Sequence, residues 1–304
     1  MQRCARLLIL LFATLLMQGC SAVRLSYDNA PSLLRWMIDD YADLTEEQDT
    51  LLRERLARLH AWHRKTQLPD YVSALRHTQQ LIAGQPKLDD AQALLDGIYR
   101  RGRTLAEQAT PDIADLLLTT TAAQSERVAG HFKERNASFA KEAQLAKGEG
   151  AQRKAQVKRV LERSEYWFGD FSEAQQLALT QAIEGQAIAT QFWYDERLRR
   201  QREWLELMRL VQRDRPPRDR LIELLHEYAA RFDAPGDAVR LRQERALRRN
   251  SAELILRIHA MTTAKQRAHA QHKLGDLISD LTDLSRQGHP DQGPSSASAG
   301  QDAR

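Results

Sequence analysis

Apolar side chains recur at intervals of three and four residues along most of the chain. Leu52, Leu56 and Leu59 form one such stripe, and His63 continues it. This spacing places side chains on one face of an α-helix. No segment shows the strict alternation of apolar and polar residues that is typical of a half-buried strand. The pattern therefore predicts an all-α fold.

Glycine and proline residues divide this pattern into segments. We predict helices over 31–42, 46–67, 70–83, 89–109, 111–147, 151–168, 172–212, 217–232, 237–261 and 263–287. The segment 172–212 would form a rod about 60 Å long, which predicts an elongated, multi-helix bundle or cradle with long antiparallel helices. The possible halves are 31–168 and 169–287. Residues 288–304 are rich in proline and serine without a hydrophobic period, which predicts a disordered tail.

The N-terminus has the pattern of an export signal. Arg3 and Arg6 precede an apolar run over residues 7–17, and Gly19-Cys20 follows. As a helix the run would be about 16 Å long, roughly half the thickness of the hydrocarbon core, so it cannot span a membrane stably. An ordinary secretory signal that is cleaved near Gly19 is the alternative to the interpretation that follows.

The Gly-Cys end of this segment resembles the lipobox of bacterial lipoproteins. That resemblance implies a lipoprotein signal peptide over 1–19, acylation (palmitate) of Cys20, and a lipid-anchored linker over 20–30. Ser21 after the cysteine implies the outer membrane, with the protein facing the periplasm. Membrane lipid is thus an expected partner through the N-terminal acyl chains.

Charge and cysteine content narrow the possible partners. The chain has 45 Lys+Arg, 41 Asp+Glu and a net charge of +4, which becomes +2 once residues 1–19, with two arginines and no acid, are removed. Two cysteines cannot form a disulfide framework. Nine arginines lie between Arg197 and Arg220, and the acidic residues among them favour a solvated, ion-paired helix face over a patch for phosphates or lipopolysaccharide. The pairs Asp195–Arg199, Glu196–Arg200 and Glu244–Arg248 have this i,i+4 spacing. No nucleic-acid partner is expected.

A repeated hexamer is the most specific internal motif. Residues 43–48 and 170–175 share the form Asp-apolar-(Ser/Thr)-Glu-x-Gln, and residues 88–92 and 262–266 are weaker relatives. A hydroxyl followed by glutamine three residues later is typical of a capping box at a helix N-terminus. The predicted structural caps are Thr45 with Gln48, Ser172 with Gln175, and Thr263 with Gln266.

The repeated motif resembles the LTxxQ motif of small periplasmic chaperones and envelope-stress regulators. That resemblance implies an all-α cradle that holds unfolded proteins without ATP. The whole mature chain is also similar to an uncharacterised family of proteobacterial lipoproteins, through Gly19-Cys20-Ser21 with residues 24–30, residues 62–71, residues 165–170 and residues 266–269. This second family implies a location and a helical fold but no reaction.

No combination of residues supports catalysis. His60 with His63 and His269 with His272 have i,i+3 spacing, but further metal ligands are missing from the pattern, and a partly buried histidine is the favoured interpretation of His63. Ser138-Phe139-Ala140-Lys141 matches SxxK without its companion motifs. We predict no enzymatic activity, no metal and no cofactor.

Aromatic residues are the remaining candidates for partner binding: Trp62, Tyr166, Trp167, Phe192, Trp193 and Tyr194. Three adjacent aromatic residues on a helix span about 200° of its surface, so they cannot all face one core. The expected function is binding of unfolded or envelope polypeptides, as a chaperone-like or assembly factor without ATP. The alternative is a structural or regulatory envelope lipoprotein with one specific partner and no chaperone activity.

Overall fold

A computed structural model describes residues 19–186, 189–232 and 237–287. The regular structure of these residues is helical, without a strand, which confirms the predicted fold class. The helices are α1 (Gly19–Asp28), α2 (Ala30–Ala42), α3 (Glu46–Trp62), α4 (Leu68–Ala83), α5 (Leu88–Leu117), α6 (Ala122–Glu142), α7 (Gly148–Phe168), α8 (Glu173–Glu184), α9 (Thr190–Asp214), α10 (Arg218–Ala230), α11 (Ala238–Met261) and α12 (Ala264–Gln287).

The longest helical run is not where the sequence predicts it. The predicted rod over 172–212 is wrong, because α8 ends at Glu184 and α9 begins at Thr190. Gly185 directly follows α8, in the place where glycine commonly ends a helix. A longer run forms instead over residues 46–83, where a π-helical turn (His63–Gln67) joins α3 to α4. Pro69 lies in the first turn of α4, where a missing N–H is tolerated.

A predicted break at Pro111 is also wrong. Helix α5 runs through Pro111 and ends at Leu117. Buried Thr110, Ala114 and Leu117 on either side of the proline keep one face of the helix in the core. Packing of that face outweighs the single hydrogen bond that proline removes.

Most of the predicted linker, 20–30, is helical, since α1 ends at Asp28 and α2 begins at Ala30. Helix α1 packs against α12, and α2 follows after Asn29. The amide of Asn29 bonds the Leu25 carbonyl, and the amide of Leu33 bonds the Asn29 carbonyl, so helical bonding continues across the junction. The predicted signal peptide (1–19) lies, except for Gly19, outside the described residues, as does the predicted tail (288–304).

Two core clusters join early and late parts of the chain. The first contains nine buried residues from α2, α5, α6, α9 and α10: Ala42, Ala114, Leu117, Val128, Leu207, Met208, Val211, Leu221 and Leu225. The second contains Leu68 and Val72 of α4 with Ile278, Leu281 and Leu284 of α12. Each cluster thus combines residues from both sides of position 168, so the possible halves 31–168 and 169–287 share their cores.

Candidate functional site

The predicted capping boxes are present in the structure. The Thr45 amide donates to Gln48 Oε1 (3.0 Å), and the Gln48 amide donates to the Thr45 hydroxyl (3.3 Å). Ser172 with Gln175 and Thr263 with Gln266 make the same reciprocal bonds. Each box satisfies amide groups that the first turn of a helix leaves without partners.

One predicted relative is not a capping box of this type. Helix α5 begins at Leu88, so Asp89 lies inside the first turn rather than at the cap. The reciprocal bond there comes from Asp90, whose carboxylate accepts from the Lys87 amide (2.7 Å). A true fourth box, Thr121 with Gln124, caps α6 and was not predicted. Its signal is visible, since Thr120-Thr121-Ala122-Ala123-Gln124 matches residues 262–266 as Thr-Thr-Ala-x-Gln. The predicted helix over 111–147 concealed it.

The four glutamines meet in two pairs. Gln48 and Gln124 exchange amide hydrogen bonds, with Nε2 to Oε1 distances of 3.2 and 2.6 Å. Gln175 and Gln266 do the same at 2.8 and 3.2 Å. Both members of the first pair are buried. Each pair therefore joins two helix N-termini that are far apart in sequence.

The two pairs are equivalent in detail. Gln48 Nε2 also donates to the Thr119 carbonyl, and Gln124 Nε2 to that of Asp43. In the second pair the acceptors are the carbonyls of Met261 and Asp170. Every acceptor lies five residues before the partner glutamine. One Asp-apolar-(Ser/Thr)-Glu-x-Gln motif thus always pairs with one Thr-Thr-Ala-x-Gln motif, and the role of the glutamines is to join helix ends.

The predicted aromatic residues lie on three different helices. Trp62 is half-buried at the end of α3, with its ring 6.4 Å from that of His63. At the end of α7, Tyr166 is exposed and Trp167 is half-buried, and Lys273 Nζ lies 3.7 Å from the Tyr166 ring centre. The remaining three, Phe192, Trp193 and Tyr194, are half-buried on α9.

Two of these three residues, Trp193 and Tyr194, line open depressions beside α6. The first depression has a volume of about 410 Å³ and is lined by Phe132, Trp193, Glu196, Arg197, Arg200, Gln201, Trp204 and Tyr228. The second, of about 440 Å³, is lined by Ala129, Phe132, Lys133, Asn136, Ala137, Tyr194, Leu198, Gln201, Arg202 and Leu205. Phe132 and Gln201 belong to both, so the depressions adjoin. We call the combined surface the α6–α9 groove.

Hydrogen bonds hold the polar side chains between the two depressions in place. Asn136 Nδ2 donates to Gln201 Oε1 (2.7 Å), and Arg197 Nε donates to Asn136 Oδ1 (2.7 Å). On the aromatic side, the rings of Trp204 and Tyr228 lie 5.5 Å apart. The α6–α9 groove therefore combines a largely aromatic wall with ordered amide and guanidinium groups.

The predicted solvated face is confirmed for six of its nine arginines, which are exposed: Arg202, Arg209, Arg213, Arg215, Arg218 and Arg220. It is wrong for the charges beside the groove, where Arg197, Arg199 and Arg200 are half-buried. Glu196 is buried and contacts Arg199 (2.8 Å) and Arg240 (2.5 Å), with Arg200 at 3.8 Å. The predicted pair Glu244–Arg248 forms at 2.6 Å, but Glu244 is buried too. Asp195 instead accepts a hydrogen bond from Gln191 (2.9 Å).

A second carboxylate in the same network is held ionised. Glu203 contacts Arg199 (2.6 Å) and Arg231 (2.9 Å). Burial alone would raise the pKa of Glu203, but the hydrogen bonds from Arg231 and Arg199 outweigh it and lower this pKa. Arginines outnumber carboxylates in this network, so the side chains beneath the groove carry a net positive charge.

A separate polar cluster holds α1 to the body. Tyr27 of α1 shares a hydrogen bond with His63 Nδ1 (2.9 Å), and the other ring nitrogen of His63 lies 3.2 Å from the Tyr71 hydroxyl. His60 Nε2 lies 3.0 Å from the Tyr27 carbonyl. Burial raises the pKa of Tyr27 to about 12, so its hydroxyl keeps its proton. The cluster confirms His63 as a partly buried histidine.

The Tyr27 cluster predicts that stability falls with acidification. Burial, with a smaller effect of His60, lowers the pKa of His63 below its ordinary 6.5. Between the two values the unfolded chain binds more protons than the folded one, so stability is lost as the pH falls through that interval. Urea unfolding from about pH 8 to about pH 5 should show a smaller loss for His63→Gln than for the wild type. His272→Gln, at an exposed histidine, is the control. An unchanged pH dependence in His63→Gln would contradict the assignment.

The described residues contain neither a metal-ligand cluster nor a membrane-spanning helix. Within the described ranges, no three His, Cys, Asp or Glu residues are placed so that they could hold a metal ion. Across the same ranges, no helix combines the length and hydropathy that a membrane span needs.

Comparison with known proteins places the chain in a family. No curated protein and no solved structure is significantly similar to it. Residues 40–233 match the family described as "Family of unknown function (DUF6279)". This range includes both depressions of the α6–α9 groove, the Gln48–Gln124 pair and Gln175, while Gln266 lies beyond it. Since the match covers more than half of the sequence, the chain belongs to the DUF6279 family of unknown function.

Proposed function

We propose that this protein is a lipoprotein, anchored through Cys20 to the outer membrane and facing the periplasm, that binds polypeptides without ATP. The export signal and the Gly19-Cys20 end of that signal support the location. The paired glutamine motifs support the likeness to the LTxxQ chaperones. No catalytic step is part of the proposal.

The α6–α9 groove is the observation that carries the binding function. Its two depressions adjoin and are open, which suits an extended segment better than a small molecule enclosed on all sides. Rings of Trp193, Trp204 and Tyr228 offer large apolar area with little rotamer entropy to lose. Amide groups of Asn136 and Gln201 can bond the backbone of such a segment.

The charge around the groove favours one class of polypeptide. Arg197, Arg200 and Arg202 line the depressions, where Glu196 is the opposing carboxylate and is already paired with Arg199 and Arg240. An unfolded segment that carries apolar side chains with acidic neighbours would therefore match the groove. Such binding would weaken as salt screens the arginines.

The test is suppression of aggregation by the purified mature chain without ATP. Reduced insulin is a suitable client, because it aggregates at constant temperature while this protein stays folded. We expect the wild type to suppress turbidity and Trp193→Ala to need several-fold more protein for the same effect. Tyr166→Ala, which removes an exposed aromatic ring outside the groove, should behave as the wild type. Circular dichroism checks that both variants are folded.

Two results would contradict the proposal in different ways. Absence of suppression by a molar excess of wild type would remove the chaperone function and favour a structural or regulatory lipoprotein with one partner. Equal loss in Trp193→Ala and Tyr166→Ala would place the binding surface outside the α6–α9 groove.

A further inference from the structure

The first two helices expose a surface that is almost without charge. Ten residues between positions 22 and 37 are exposed, and Asp28 is the one ionisable residue among them. Asp28 is ion-paired with Arg64. In a chain with 28% charged residues, an exposed stretch of this composition is unusual. Contact with water alone does not explain why this exposed surface has so few charged residues.

Large apolar side chains dominate this surface. The exposed fractions are 65% for Leu25, 52% for Leu33, 43% for Leu34, 64% for Trp36 and 48% for Met37. On α2, Leu33, Leu34, Trp36 and Met37 fall within an arc of about 160° at 3.6 residues per turn. We call these five residues the α1–α2 apolar face. A contiguous exposed patch of this kind marks a contact with another apolar phase.

Helix α1 is held firmly against the body of the protein, which limits the positions that the α1–α2 apolar face can take. Arg24 contacts Asp280 (2.7 Å) and Asp283 (2.6 Å), and Asp280 is buried. Val23 and Tyr27 pack on the second core cluster. The proposed attachment point therefore lies at the start of a docked helix rather than at the end of a flexible tether.

We propose that the α1–α2 apolar face lies in the interfacial region of the bilayer that carries the anchor. This proposal rests on the proposed attachment at Cys20. Leu33 lies thirteen positions after Cys20, which is about 20 Å at the helical rise per residue, so the anchor holds the face within reach of the headgroups. In the sequence, the apolar run over residues 7–17 precedes the same end of the protein.

The chemistry of the face fits a lipid surface. Tryptophan is favoured at the boundary between headgroups and acyl chains, and leucine and methionine can enter the acyl region beneath it. Contact at a second point, beside the acyl chains, would hold the protein in one orientation on the membrane. Neither the insertion of the apolar side chains nor the fixed orientation requires a charged lipid.

The test couples the mature chain to vesicles through its single thiol, Cys20. Vesicles of phosphatidylethanolamine and phosphatidylglycerol contain a maleimide lipid, with or without bromine on the acyl chains, which quenches tryptophan fluorescence on contact. Because Trp36 is one tryptophan of five, brominated lipid should lower the emission by up to about one fifth. Trp36→Phe keeps the face apolar and should abolish the bromine-dependent loss. Leu33→Glu with Met37→Glu should abolish it by lifting the face.

Chemical coupling separates this proposal from the lipoprotein assignment, since the tether forms whether or not cells acylate Cys20. A bromine-dependent loss that persists in Trp36→Phe, or no loss in the wild type, would overturn the proposal. If a coupled variant with a photoreactive amino acid at position 36 instead crosslinks to a second copy of the chain, the face belongs to that copy, and the proposal is overturned.

Discussion

Replacing Cys20 with alanine is expected to move the protein from the membrane fraction to the soluble periplasmic fraction. Acyl chains contribute about 0.8 kcal/mol per buried CH₂, so several chains hold a protein on a bilayer almost irreversibly, whereas an apolar helix face alone binds reversibly. The variant should be exported by a conventional cleavable signal in place of residues 1–19, because an uncleaved leader could itself retain the protein. Fractionation after washing, followed by immunoblotting, measures the change.

Cys4→Ala in the native leader is the matched control, because it removes the other cysteine of the chain and leaves the proposed attachment residue intact. We expect Cys4→Ala to remain with the outer membrane. If the Cys20→Ala protein still sediments with washed membranes as the wild type does, Cys20 is not the anchor.

We expect Gln48→Ala to destabilise the fold by about 2–4 kcal/mol, because three groups, one of them a buried side chain, lose their partners together. These are the Thr45 amide, the Thr119 carbonyl and the Gln124 side chain. Chemical denaturation of the mature chain measures the effect. Gln191→Ala, at an exposed glutamine with one hydrogen bond to Asp195, should change stability by less than about 0.5 kcal/mol.

The second glutamine pair provides an internal comparison. Gln175 makes the equivalent bonds but is less buried than Gln48, so Gln175→Ala should cost less. Combining Gln48→Ala with Gln124→Ala should cost less than the sum of the single changes, since the two amides satisfy each other. If the free-energy costs of the two single changes are simply additive, the interaction between Gln48 and Gln124 contributes nothing to stability.

Local patterns predicted much of this structure because they depend on neighbouring residues. The all-α class follows from apolar spacing, and three capping boxes follow from a hydroxyl and a glutamine three residues apart. The errors have a common cause. In each case, a local signal for the end of a helix and packing against distant residues favour different helix boundaries. Pro111 does not end α5 because Thr110, Ala114 and Leu117 are buried against other helices. Conversely, α8 ends at Glu184, before Gly185, despite an apolar stripe that continues.

The candidate site was harder to predict, because it is formed by residues that are distant in the sequence. Trp193 and Tyr194 were predicted as binding candidates, but Phe132 and Gln201, which the two depressions share, were not. Nothing in the local sequence around Phe132 shows that α6 lies beside α9. The i,i+4 spacing is the same for an exposed and a buried pair, so the sequence did not show that Glu196 is buried while most of the following arginines are exposed. Burial of Glu196 requires Arg240 of α11.

The sequence by itself determined the helical class and the capping chemistry, because each depends on residues that are close together in the chain. The proposed export signal and attachment residue also rest on the sequence alone. Tertiary structure alone decided that capping glutamines meet as Gln48–Gln124 and Gln175–Gln266, that α1 is docked rather than flexible, and that α6 and α9 enclose a groove. The physical reason is that a helix presents several faces, and which of them becomes buried depends on partners that lie as far as 256 positions away.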